Sequence, residues 1–163
     1  MFFWFAGLAI VLVSIVFDSP SLDYRLILLG AVLPSLESVT GSAWILHTLA
    51  APVLVFAAVA VLLRGKRLAQ RRWIGLPIGL FVHLILDGTW TQTSLFWWPA
   101  FGNVLGEADN PELSRGWLLV VLELIGIAAL VWVWRNNQLG EPANRQRFLT
   151  SGQLPRNPGG GAF

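Results

Sequence analysis

Apolar residues run along this chain in long blocks, not in the one-sided spacing of a surface helix. Met1 to Phe17 is apolar apart from Ser14. Leu26 to Leu33 forms a shorter block, closed by Pro34. Ala43 to Leu63 is polar only at His47 and Thr48. Another block runs from Trp73 to about Thr89, and the last, Trp117 to Trp134, is polar only at Glu123. Stretches that are apolar on every face predict helices surrounded by hydrocarbon or by a large core. The first block lacks the basic leader and small-residue cleavage site of a secretory signal, so it reads as a retained helix. Ser19 before Pro20 marks the start of the next element, with Asp18 and Asp23 as capping residues. Leu26 to Glu37 reaches only about 17 Å as a helix. That stretch either spans a membrane with help from its neighbours or enters and returns. Pro52 predicts a kink in the third helix. The spacing of Gly75 and Gly79 predicts close helix packing.

The segments between the blocks sort the charge. Arg64, Lys66, Arg67, Arg71 and Arg72 fall in one loop with no acidic residue among them. Such a loop marks the cytoplasmic side of a membrane protein. Residues 91–116 are polar, with Phe96, Trp97 and Trp98 early and Glu107, Asp109 and Glu112 later. The tail carries Arg135, Arg145, Arg147 and Arg156 and ends in a glycine-rich run, which predicts a disordered cytoplasmic tail over 136–163. With 64–72 and the tail inside, 91–116 lies outside. Arg25 joins the inner side if the second segment spans.

Composition narrows the class. The chain has 163 residues, of which 55% are hydrophobic and 12% charged. Soluble domains carry about 25% charged residues. A soluble globular domain, a disordered chain and a nucleic-acid binder are thereby disfavoured. The expected fold is all-α, a polytopic membrane helical bundle of about five helices over residues 1–135. The net charge is only +2, and cysteine is absent, which removes disulfides, thiolate nucleophiles and Cys-based metal sites.

Ionisable residues at membrane depth face a bundle interior or an aqueous cavity. This chain has His47, His83, Asp87 and Glu123, with Glu37 as a fifth. On the five-helix topology all five fall in the outer half of the membrane, although they come from four segments. His83 and Asp87 are four residues apart and share a helix face, at a separation that suits one divalent cation or a carboxylate-oriented imidazole. Plainer readings stand beside these. His83 either binds a ligand or hydrogen-bonds a neighbouring helix, and His47 tolerates an interface. Glu123 suits an interhelical hydrogen bond, and Glu37, near Ser38, Thr40 and Ser42, suits a loop. Trp90, Trp97, Trp98 and Trp117 suit an outer aromatic belt.

The order Leu28-Leu-Gly-Ala-Val-Leu-Pro-Ser-Leu-Glu37, then His47, then His83-Leu-Ile-Leu-Asp87, then Phe96-Trp-Trp-Pro99 resembles the bacterial inner-membrane family of metal-dependent hydrolases. That family is grouped with zinc-dependent phospholipase C and nuclease-type folds, which are helical. The resemblance covers roughly residues 24–100. It implies a divalent metal, zinc first, held by Glu37, His47, His83 and Asp87 in the bacterial plasma membrane. Ser35 stands where the family has its first Asp, Glu37 where it has the second, and Thr48 follows His47 in place of Ser.

Two functions of different class follow. One is a hydrolase acting on a phospholipid or another amphipathic phosphoester, with Glu123 as general base. The other is a non-catalytic accessory or scaffold subunit of a membrane protein complex that keeps the polar cluster as interhelical glue. A small transporter or proton relay is a weaker third.

Overall fold

The helices of the fold form where the apolar blocks are and stop at turn residues. The structure, a computed structural model, describes residues 1–17, 19, 21–102, 104–107 and 115–155, with residues 38–40 in backbone only. Helix α1 is Phe2–Phe17 and α2 is Tyr24–Val32. The Asp23 carboxylate accepts the Arg25 backbone N–H at 3.1 Å and so caps α2, as its position predicted. Asp18 and Pro20 lie outside the described residues. Helix α3 is Ala50–Leu62, α4 Arg67–Trp73, α5 Gly75–Asp87, α6 Thr93–Phe96, α7 Leu118–Asn136 and α8 Pro142–Ser151. No strand occurs among the described residues, so the all-α expectation is met.

Two close crossings organise the bundle. Helix α2 lies against α5, where a Cβ on Gly30 would collide with the Leu76 carbonyl oxygen and one on Gly79 with that of Ile27. Helix α1 crosses α7 in the same manner, with Gly7 against the backbone of Gly126. Small residues allow backbones this near, and dispersion between the backbones replaces side-chain interdigitation. The packing expected of Gly75 and Gly79 is therefore present. The core gathers on α1 and α2, around Phe5, Ile10, Val13, Ile27 and Ala31.

The outer helices bury little. On α3 the buried residues are Ala51 and Pro52; on α7 they are Gly126 and Val133. Helix α7 is long and apolar enough to cross a membrane, and only 11% of its apolar window is buried inside the protein. The shorter apolar helices are α1 and α3.

Several expectations change. The third block is not one helix from Ala43: a 3-10 turn at Ile45–His47 precedes α3, which starts at Ala50. Pro52 therefore sits in the first turn, where its missing N–H has no intrahelical partner to lose, and marks a start, not a kink. The second block is a nine-residue helix continued by a 3-10 stretch, Leu33–Thr40. The basic loop holds α4. The tail is ordered over its first part: Pro142 opens α8, Gly152 closes it at φ 72°, and the Gly152 carbonyl accepts the Tyr24 N–H at 2.8 Å. That anchor orders a polar segment that composition alone assigns to disorder. Arg156 and the glycine-rich end lie outside the described residues.

Candidate metal centre

The last turn of α5 presents His83 and Asp87 on one face. Gly88 then ends the helix in the left-handed region, at φ 75°. The reversal returns the Thr89 hydroxyl to Asp87, where it donates to Oδ2 at 2.9 Å. His47 arrives from the 3-10 turn ahead of α3. His47 and His83 are fully buried and Asp87 is 2% exposed. One ligand atom from each lies within 4.8 Å of the other two. The two imidazoles meet edge to face, with centroids 5.4 Å apart.

Both imidazoles are oriented from behind. His83 Nδ1 donates to the Ala31 carbonyl at 2.7 Å, and His47 Nδ1 donates to Glu37 Oε2 at 2.8 Å. A carbonyl and a carboxylate only accept, so each Nδ1 carries the proton and each Nε2 carries the ring's lone pair. His47 Nε2 is buried with no hydrogen-bond partner among the described residues. Phe5 covers the His83 ring at a centroid distance of 3.9 Å. Two imidazole nitrogens and one carboxylate oxygen make a donor set that could hold a divalent ion.

Glu37, expected as a ligand, stands one step behind. Its Oε1 accepts the Leu46 N–H at 3.0 Å, and its Oε2 accepts the Trp44 N–H at 3.1 Å as well as His47 Nδ1. It fixes the turn that delivers His47. Glu123, expected as a general base, caps α1: Oε2 accepts the N–H groups of Phe3 at 2.8 Å and Trp4 at 3.2 Å. A carboxylate is favoured there by the helix dipole. All five residues lie at the end of the bundle where α1 begins, but only His47, His83 and Asp87 converge.

Two contributors were not visible in the sequence reading. Thr89 orients Asp87 from two residues on, and the glycine between them was the available signal. Arg115 reaches Asp87 Oδ1 at 3.2 Å, hydrogen-bonds the Asp87 carbonyl, and passes the Met1 sulphur at 3.9 Å. A lone cation closing an otherwise acidic loop was its only mark. Asp109 and Glu112 of that loop lie outside the described residues.

A second polar cluster lies at the opposite end of α5. Asp23 accepts from Arg25 Nε at 3.0 Å and its terminal nitrogen at 2.7 Å, and from Arg72 Nε at 2.8 Å. Burial alone would raise the Asp23 pKa. The hydrogen bonds from Arg25 and Arg72 outweigh it and hold the carboxyl below its ordinary value. Comparison of the chain with protein-family models, curated proteins and solved structures finds no match.

Proposed function

We propose that this chain is an integral membrane protein in which His47, His83 and Asp87 hold a divalent metal, zinc first, for hydrolysis of a phosphoester or lipid. One observation carries the reading: three buried ligand atoms within 4.8 Å, with both imidazoles held in the tautomer that puts the lone pair on Nε2. Bound there, the ion would supply Lewis acidity for water activation. The chain's own groups do the rest. Glu37 and the Ala31 carbonyl hold the imidazole protons at Nδ1. Thr89 orients the Asp87 carboxylate, and Phe5 keeps bulk water off His83. The Arg115 guanidinium adds positive charge beside the cluster and suits an anionic oxygen of the substrate. The membrane reading is supported by the apolar, mostly unburied α7 and by the basic segment 64–72, which we place on the cytoplasmic side with the tail. The resemblance of residues 24–100 to the membrane hydrolase family supports the same class.

The Arg115 contact also favours a second reading. A guanidinium at Oδ1 already balances the buried Asp87 charge, so the cluster would serve as an interhelical polar lock in a non-catalytic accessory subunit. Metal analysis of the detergent-purified protein separates the two. About one equivalent of zinc, manganese or iron is expected in the wild type, with loss in His83→Ala. A metal-free wild type, or unchanged content in His83→Ala, would overturn the hydrolase reading. Copurification with a stoichiometric larger complex, without metal, would establish the accessory one.

A further inference from the structure

The α4 end of the fold carries a feature independent of the metal centre. A pocket of about 250 Å³ opens where the α1–α2 connection meets α3, α4 and the start of α5. Leu22, Phe56 and Ile74 wall it, and Ser21, Gln70 and Arg71 supply its polar side. Phe56 also lines a neighbouring groove of about 590 Å³ between α1 and α3, floored by α5 and lined by apolar side chains alone. A polar-sided pocket thus adjoins a wholly apolar channel.

The charge around the pocket is one-sided. Arg64, Lys66, Arg67 and Arg71 have no ion-pair partner among the described residues. Asp23, the nearby buried acid, is taken by Arg25 and Arg72. An anionic head would therefore meet uncompensated cations, whereas the ammonium of a zwitterionic head would be repelled by them.

We propose that the pocket and groove together bind one anionic phospholipid. Its phosphate sits at Arg71, Gln70 and Ser21, and an acyl chain runs past Phe56 into the groove. The inference rests on the membrane reading above but not on the metal. Free phosphate would satisfy the polar side and leave the apolar channel unused. The location agrees with the basic face of a membrane protein, which meets the anionic cytoplasmic leaflet.

The test uses the full chain in neutral detergent, titrated with phosphatidylglycerol or phosphatidylcholine and read by native mass spectrometry. Phosphatidylglycerol is expected to bind about fivefold more tightly for the Arg71 charge alone. Arg71→Gln should lower that preference about fivefold, Arg71→Lys should keep it, and soluble glycerol 3-phosphate should not compete. Equal affinity for the two lipids, an unchanged preference in Arg71→Gln, or competition by glycerol 3-phosphate would overturn the proposal. His83→Ala should retain the preference, whatever its metal content, so failure of the metal reading stays separate. Extraction of the protein from membranes by alkaline carbonate would remove the membrane reading itself. Retention in the membrane without lipid preference would remove the lipid site alone.

Discussion

Asp23 and Asp87 are both 2% exposed, and they stand at opposite ends of α5 in different company. Asp23 is enclosed by cationic donors: two nitrogens of Arg25 and one of Arg72 reach its oxygens. It ties α2 to α4, and through Arg25, which donates to the Leu149 carbonyl at 2.5 Å, to α8. Asp87 takes a neutral hydroxyl on one oxygen and a guanidinium on the other, and it stands beside two imidazoles whose protons point away from it. A carboxylate surrounded by cations is committed to holding the fold. A carboxylate grouped with two imidazoles and one guanidinium could hold a cation as well. Burial alone does not distinguish the two; the partners do.

The comparison can be broken experimentally. Asp23→Ala should cost about 2–3 kcal/mol of stability, because it removes the α2 cap and the charge-assisted hydrogen bonds from Arg25 and Arg72, whose guanidiniums remain partly solvated. Thermal or denaturant unfolding in detergent measures this, and metal content of the folded fraction should stay at the wild-type level. Metal loss without destabilisation would reverse the roles of the two carboxylates. Glu37→Gln should weaken metal binding about 10–100-fold, the range for a group that orients a histidine ligand. Chelator competition reads the change. A loss as complete as in His47→Ala would make Glu37 a direct ligand.

Glu123→Gln should leave metal affinity alone and lower stability by about 1 kcal/mol, since an amide oxygen still accepts hydrogen bonds at the start of α1 but without the charge. A matching fall in metal affinity would restore Glu123 to the site. The smallest effect is a pH dependence. The folded-state pKa of Asp23 lies below its ordinary 3.8, so its contribution is fully present above that value and is lost as pH falls through the folded-state value. The stability difference between wild type and Asp23→Asn should be flat from neutral pH to about 5 and shrink in acid. A difference that shrinks on raising the pH would contradict the sign.

Much of the architecture was legible because it is local. Apolar blocks and turn residues placed α1, α2, α5 and α7 within a few residues, and the four-residue spacing put His83 and Asp87 on one face. Where local signals conflicted, the reading went wrong. The apolar run from Ala43 looked continuous, yet Glu37 gathers the N–H groups of Trp44 and Leu46 and holds a turn there. The polar tail looked disordered, yet the backbone bond between Tyr24 and Gly152 anchors α8.

Which ionisable residues interrupt the apolar blocks, and that they gather toward one end, could be read from the chain alone, because helix direction and charge placement follow from neighbouring residues. Their partners come from the fold. Glu37 and Glu123 were both read as part of one site. One became the orienter of His47 and the other the cap of α1, because a carboxylate's role depends on which donors surround it. Those donors come from far along the chain: Glu123 meets Phe3 across 120 positions, His83 meets Ala31 across 52, and Arg115 meets Asp87 across 28.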